Sequence, residues 1–550
     1  MLLSACSAKR PAQPPLTFRT ALLQSGGCSF SAAITADYGE SDASFTLDCV
    51  FSPETGASVT VTEPESIAGI QAQVKDTAAS VSYDGMQLGL GSLANGNLAP
   101  LAAPYVLGQC WAGEYIDATG TEDGLLRTTY RMGYEEKELV VDTWFSQEPF
   151  TPVRAELSYE GRMVLRADIS LDNLEYNYRS IRAHLPSGTR FLGVMKADAY
   201  GHGAVPVSRA LADLGAEYLA VSNLEEAVQI RRGEVRLPIL ILGYTPPEYA
   251  ANMIFLDITQ EVHSLTYAQE LNEALAGTNY ILNVHLKLDT GMTRIGFFAY
   301  DNDRTLDELK QAAALPHLHI EGVFMHFCVA DSRAEEDVSF TKLQYKRFMD
   351  MLSAMEGAGI RPEIRHCCNS GAAILYPEFA LDMVRPGIIT YGNAPSEELE
   401  GAISLRPMMS LHSMIAQVRT VPAGTDISYG RLYRTTHDTR VAVLPIGYAD
   451  GLSRLLTGKA SFYLQGKLVP VIGRICMDMC MLDVSEVPDA KPGDIVTIFG
   501  YDDDGTLVPC ERLAAAQGTI NYELLCQISK RIPRICHRGA ETSQILQYIV

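Results

Sequence analysis

The 550-residue sequence predicts an α/β TIM barrel followed by a mostly β C-terminal domain and preceded by an extra antiparallel β domain. Three observations carry this. Between residues 191 and 391 short apolar runs alternate with helix-like amphipathic segments such as SRALADLG and FTKLQYKRFMDMLSAM, the pattern of repeated strand–helix units. Polar residues gather just past the ends of those runs, where a barrel of this kind keeps its chemistry. Before about residue 162 and after about residue 400 the pattern changes to apolar–polar alternation, the period of strands with one wet face.

Composition narrows the function classes. Charged residues make up 20% and hydrophobic residues 47%, as in a globular protein with a large core, and the net charge of −22 argues against a nucleic-acid or anionic-membrane surface. A small-molecule substrate is expected instead. Twelve cysteines are too sparse for a disulfide framework, and no C-x-x-C pair is present. Cys367-Cys368 and the Cys476/Cys480 pair read as core rather than as zinc ligands, so no metal site is expected. No apolar run reaches the roughly 18 residues of a membrane span.

In chain order, MLLSACSAKRP comes first, and its Leu3-Ser4-Ala5-Cys6 resembles the lipobox of bacterial lipoproteins, implying a truncated lipoprotein signal. Residues 7 to about 162 hold SFTLDCVFS, ASVTVTEP, AASVSYDG and ELVVDTWFS, read as antiparallel strands, and both tryptophans, Trp111 and Trp144. The closing PVRAELSYEGRMVL weakly resembles the last strands of LolA-like lipoprotein folds, so residues 1–162 are taken as a lipoprotein-like domain of unknown role. Met163 then precedes LRADISLDNLEYNYRSIRAHL, a strand and a helix with Leu171, Leu174, Tyr178 and Ile181 at helical spacing. Met163 could serve as a start, and the join suggests a gene fusion or a misplaced gene start. The expected barrel strands are FLGVMK (191–196), EYLAVS (217–222), PILIL (238–242), MIFLDI (253–258), ILNVHLKL (281–288), LHIEGVFMHF (318–327), PEIRHCC (362–368) and MVRPGIITY (383–391). The barrel is assigned to 163–400. Alternating strands in HSMIAQVRTVP, VAVLPIGYADG, SFYLQGKLVPVIGRICMDMCMLDV and DIVTIFG, closed by a helix around NYELLCQISKRIP, make residues 401–550 the C-terminal β domain.

Lys196 ends the first barrel run and is followed by Tyr200, Gly201, His202 and Gly203. A lysine in an apolar pocket can lose its proton and bond a carbonyl carbon, and the hydroxyl and exposed N–H groups beside it suit a phosphate. Together these suggest pyridoxal phosphate. The string VMKADAYGHG (194–203) closely resembles the cofactor-lysine motif of alanine racemases, and the resemblance extends over about residues 163–536, ending at RIPRIC with Cys536 where the family usually has tyrosine.

Racemisation needs a base on each face of the α-carbon. The resemblance implies Lys196 as one and Tyr429, in DISYGRLY, as the other, with His326 and Arg385 in support. Ionising a free tyrosine at pH 7 costs about 4 kcal/mol, so the site must reduce that cost. Arg385 is implied to face the pyridine nitrogen, where a guanidinium donates a hydrogen bond without giving up a proton. Implied cofactor ligands are Lys196, Tyr200, Asn369, Ser370, Arg385, Gly387, Ile388 and Tyr522. KLDTGMTRIGF (287–297) matches a second motif: Arg294 is implied to grip the substrate carboxylate, and Lys287 stands where many members carry a carbamylated lysine. Met477, in GRICMDMC, matches a substrate-contacting position. The resemblance further implies a homodimer with shared active sites, Tyr429 and Met477 coming from the second subunit, a cytoplasmic location for the enzyme part, and D-alanine for peptidoglycan as the product. Three alternatives stay open: a serine racemase of glycopeptide-resistance type, suggested by MHFCVADS followed by EEDVSFT; a non-catalytic pyridoxal-phosphate-binding protein; and an N-terminal envelope-binding module as the working part.

Overall fold

The computed structural model describes residues 13–37, 42–75, 78–83, 86–91, 93–94, 97–98, 100–113, 116–122, 125–134, 137–146, 150–158, 165–300, 302–539 and 541–546. The Leu3–Cys6 motif and Met163 lie outside them. The chain divides into two compact units that part between residues 163 and 164.

The first unit is antiparallel β, as expected, with a six-stranded sheet from Cys28–Asp37 to Met86–Gly91 and a four-stranded sheet from Ile116–Glu122 to Pro152–Ser158. Alternation works as read: Leu47, Cys49 and Phe51 are buried along one strand, and Ala57, Val59 and Val61 along the next. Two helices, Gln13–Gln24 and Ala103–Ala112, were not expected. In APYVLGQCWA every residue but Gln109 is buried, so the segment has no polar face to reveal a helical period. Trp111 on that helix packs edge-on against Phe18 and Phe30 and donates its indole N–H to Thr143.

The second unit holds the barrel. Its parallel strands are β1 (Arg190–Val194), β2 (Tyr218–Val221), β3 (Ile239–Ile241), β4 (Ile258–Val262), β5 (Leu282–Asp289), β6 (Leu318–Phe324), β7 (Ile364–His366) and β8 (Met383–Val384). They pair in chain order, and β8 returns to β1. The ring closes between β7 and β8 where Asp382 N donates to Arg365 O (3.0 Å) and Arg385 N to Cys368 O (3.0 Å). One strand differs from expectation. The first half of MIFLDI ends a helix, Ala250–Phe255, and β4, ITQEV, begins only at its last residue, Ile258, and is buried throughout. A short, mostly apolar run fits the end of a helix as well as a strand, and the helical turn at Pro247–Tyr249 decides for helix.

The strand Leu165–Ser170 stands in the C-terminal sheet, antiparallel to Met409–Met414 and parallel to Arg534–Arg538. Ser170 then caps the helix Leu171–His184 by accepting from Asn173 N, a bond of the kind worth about 1 kcal/mol. Leu171, Leu174, Tyr178 and Ile181 are its buried stripe. Around this strand the C-terminal part builds an eleven-stranded sheet, with short helices at Glu511–Gln517 and Asn521–Cys526. Cys536 is buried opposite Ile169. Cys367, Cys368 and Cys480 are buried free thiols, and among the described residues no group of three or more His, Cys, Asp or Glu side chains is placed to hold a metal. Among those residues no helix is long and apolar enough to cross a membrane.

Candidate active site

Three residues past β1, at Ala197, the chain turns left-handed. Ala197, Asp198, Ala199 and Tyr200 all have φ between 52° and 55°, followed by Gly201 at 82°. Each such non-glycine residue costs roughly 1–2 kcal/mol, so the turn exists only because its surroundings hold it. Glu226 accepts from Ala197 N (2.7 Å), Asp198 Oδ1 from Ala204 N (2.8 Å) and Met195 O from Ala199 N (2.8 Å). The buried Arg534 donates through Nε to Gly201 O (2.8 Å). Lys196 heads the turn with Nζ 5.8 Å from the centre of the Tyr200 ring. Burial, and then the charge of Arg294, lower its pKa and so favour the free amine.

Tyr200 is buried against Tyr391 and Tyr522, with ring centroids 4.9 and 6.0 Å away. Burial pushes both the Tyr200 and Tyr522 phenols up, which keeps them protonated donors. Beside the Tyr200 hydroxyl lie Ser370 and Gly387: Ser370 Oγ accepts from Gly387 N (2.9 Å), and a β-carbon on Gly387 would come 2.7 Å from the phenol oxygen. The helical turn Ile388–Tyr391 begins one residue on. Asn369 points elsewhere. Its Oδ1 caps the next helix at Ala372 N (3.0 Å) and its Nδ2 donates to Phe327 O (3.3 Å), so its side chain fixes the turn that presents Ser370.

Arg385 is fully enclosed just past β8 and donates to Met325 O (2.7 Å), Cys367 O (3.1 Å), His326 Nδ1 (3.3 Å) and His366 Nδ1 (2.9 Å). Burial lowers it to about 10, which still leaves a cation at neutral pH. The same burial, with Arg385 next in effect, holds His326 well below the ordinary range and therefore neutral. Lys287, on β5, is also enclosed; burial, then Arg385 and Arg294, lower it to about 7. The Phe324 ring lies near both groups, its centre 5.1 Å from Lys287 Nζ and 5.3 Å from the Arg385 guanidinium carbon. Arg294 sits on the loop after β5, which is folded back by Asp289 Oδ1 accepting from Gly291 N and Thr293 N (3.0 Å each).

Thus Lys196, Tyr200, Ser370, Gly387, Arg385, His326, Lys287, Arg294 and Tyr522 share one end of the barrel, the C-terminal ends of its strands. Tyr429 and Met477 do not join them within one chain. They lie on neighbouring loops of the C-terminal part, linked by Ser428 Oγ donating to Arg474 O (2.7 Å), and are 70% and 54% exposed.

Four groups went unread in the sequence: Glu226 and Arg534, which hold the lysine turn, and His366 and His285, buried inside the barrel with Glu321 behind them. The usable signal was a polar residue among apolar neighbours inside a strand, as in LNVHLKL and EIRHCC.

Residues 169–395 match the family described as alanine racemase, N-terminal domain, and residues 408–536 match alanine racemase, C-terminal domain. The chain is 45% identical over 369 residues to the alanine racemase of Desulfovibrio desulfuricans, covering 67% of this chain and 97% of that one. It is 42% identical over 385 residues to that of Clostridium tetani, covering 70% and 98%. Among solved structures, the alanine racemase of Clostridium difficile superposes with a TM-score of 0.66 at 40% identity over 70% of this chain and 99% of that one. The alanine racemase of Bacillus anthracis with bound L-Ala-P superposes with a TM-score of 0.66 at 33% identity, covering 70% and 98%.

Proposed function

The chain belongs to the alanine racemase family, and from that premise we propose how its own residues interconvert L-alanine and D-alanine with pyridoxal phosphate as cofactor. The observation that carries the reading is the joint placement of Lys196, the Tyr200–Ser370–Gly387 cradle and the Arg385 guanidinium at one end of one barrel. The cradle fits a phosphate: two hydroxyls and a backbone N–H converge where a β-carbon on Gly387 would intrude, and Ile388 N follows. Tyr522 adds a third hydroxyl. Pyridoxal phosphate supplies an aldehyde that bonds an amine and a ring that draws electrons from the substrate's α-carbon.

Lys196, its amine favoured in the free form by burial, would hold the cofactor through its aldehyde; once the substrate's amino group has taken that place, the released amine takes or returns the α-proton on one face. Tyr429 does the same on the opposite face through its phenol oxygen. Since Tyr429 and Met477 face outward in a single chain, the reading requires a homodimer in which each site borrows them from the partner. Arg294 holds the substrate carboxylate with its guanidinium fork, and Met477 borders the same carboxylate. Lys287, lowered to about 7, has an uncharged amine available to react with carbon dioxide; carbamylated, it would give Arg294 and Arg385 an anionic neighbour. Arg385 would donate to the pyridine nitrogen of the bound cofactor without giving up a proton, which would limit electron withdrawal and favour proton return over loss of the amino group. His326 accepts from Arg385 and fills the space beside it as a neutral ring.

The reading assigns residues 163–400 to the cofactor barrel and 401–550 to the domain that carries Tyr429, with the enzyme acting in the cytoplasm. It gives residues 1–162 no step in the reaction. Serine is the competing substrate, and the Tyr522 ring against Tyr200 narrows the pocket toward alanine. The test is to measure kcat/KM of the full chain for both alanine enantiomers and for L-serine. Alanine is expected to be preferred by about tenfold or more, the discrimination a small change of side-chain volume can give; equal or better turnover of serine would overturn the alanine assignment.

A further inference from the structure

Behind Arg385 a line of polar side chains crosses the barrel interior. His366 and His285 are fully buried. Arg385 Nη1 lies 2.9 Å from His366 Nδ1, His366 Nε2 lies 2.8 Å from His285 Nδ1, and His285 Nε2 lies 3.1 Å from Glu321 Oε2. The same carboxylate oxygen accepts from Tyr218 Oη (2.8 Å) and Thr259 Oγ1 (3.2 Å). The space is shaped for these rings: a β-carbon on Gly322 would strike the His285 imidazole at 2.5 Å, and Phe324 stacks on His366 at 4.9 Å with 11° between planes.

Only one pair of histidine tautomers satisfies these contacts. A guanidinium has no acceptor, so His366 Nδ1 must carry a lone pair and Nε2 the proton. That proton points at His285 Nδ1, which must accept, so the His285 proton is on Nε2 and points at Glu321 Oε2, which must accept it. Run the other way, a protonated Glu321 donating to His285 would force a proton onto His366 Nδ1, donor against donor at Arg385. Burial holds both imidazoles below the ordinary histidine range, in keeping with neutral rings. Burial alone would raise the Glu321 carboxyl, but the bonds from His285, Tyr218 and Thr259 outweigh it and hold it low.

We infer that Glu321 is a positioning residue for the reaction: through two neutral imidazoles of fixed tautomer, its carboxylate anchors the Arg385 guanidinium and balances its charge. The inference rests on Arg385 facing the ring nitrogen of the cofactor. Glu321→Gln keeps the size and an acceptor oxygen but removes the charge, whereas Glu321→Leu also removes the acceptor.

The first test needs no cofactor. Neutron diffraction from crystals of the deuterated full chain, prepared without pyridoxal phosphate, is expected to show single deuterons on Nε2 of both His366 and His285 and none on Glu321; a deuteron on Nδ1 of His366 or on the carboxyl overturns the chain. With cofactor added, Glu321→Gln is expected to lower kcat about tenfold with KM within about twofold and to shift the visible band of the bound cofactor, and Glu321→Leu to do so more strongly. A merely structural role would lower the melting temperature and leave the band and the kcat of the folded fraction unchanged, and that result overturns the inference. Failure of the cofactor reading itself would look different, since the unsubstituted chain would then take up no pyridoxal phosphate.

Discussion

The Arg534 guanidinium, buried near the end of the chain, donates to the carbonyl of Gly201 at 2.8 Å and so ties the C-terminal sheet to the left-handed turn that carries Lys196. It also donates to Ser529 O and Ile528 O (2.7 Å each). Arg534→Met would strand these carbonyls in a dry interior and release the turn to relax toward ordinary φ. We predict a loss of about 3–5 kcal/mol of stability, as for other broken buried networks, with pyridoxal phosphate bound at least about tenfold more weakly by the protein that remains folded. Denaturant unfolding and a cofactor titration measure the two effects; unchanged affinity would show that the turn holds itself.

Lys196→Ala removes the amine proposed to bond the cofactor. The unsubstituted protein should be yellow when purified with pyridoxal phosphate, and the variant should show neither the colour nor racemase activity. An active variant would remove Lys196 from the chemistry.

Tyr429→Phe should separate the two directions. A lost general base costs about 10²–10⁴ in rate, and the cost should fall mainly on α-proton exchange from L-alanine, with exchange from D-alanine, served by Lys196, less affected. Deuterium exchange measured separately for each enantiomer decides; equal losses would make Tyr429 a positioning group. Mixing inactive Lys196→Ala and Tyr429→Phe chains should restore activity, because one of the two shared sites in a heterodimer then has both bases. Without recovery on mixing, the sharing of Tyr429 between subunits fails.

A chain beginning at Met163 should racemise alanine within about twofold of the whole chain, a change of less than about 0.5 kcal/mol in the barrier. Both family matches and the whole lysine site lie in the second compact unit. Steady-state assays on the dimeric, soluble product test this, and an inactive product would make residues 1–162 part of the enzyme.

Lys287 should leave a mark on stability against pH. An ordinary lysine titrates near 10.5, and burial first, then Arg385 and Arg294, bring this one to about 7. Between those values the unfolded chain binds more protons than the folded one, so this group's contribution rises with pH through that window. Its penalty is full below about 7 and gone above about 10.5. In carbon-dioxide-free buffer, Lys287→Met should therefore gain most over the unsubstituted protein near pH 6, with the gain shrinking toward pH 10. A flat difference would mean that the lysine is not depressed.

Where neighbours along the chain decide structure, the sequence was enough. VMKADAYGHG announced both a lysine at the end of the first barrel strand and the break after β1, the helix Leu171–His184 followed from a cap and a 3.6-residue stripe, and seven of the barrel strands were legible as apolar runs. Two elements escaped for a local reason: MIFLDI and APYVLGQCWA each hold one polar residue among apolar ones, too few to set a helical period. Other features were decided only by tertiary structure. Leu165–Ser170 joins a sheet whose other strands lie more than 200 residues away, since hydrogen-bonded pairing is set by which edge is open when the chain packs. His285, Glu321 and His366 are polar residues in separate strands, and nothing local relates them. Closing the barrel turns both imidazoles into a dry interior with the half-buried Glu321 at its edge, an unpaired polar group there is costly enough that they must find one another, and the one pair of histidine tautomers that satisfies them runs from Glu321 to Arg385.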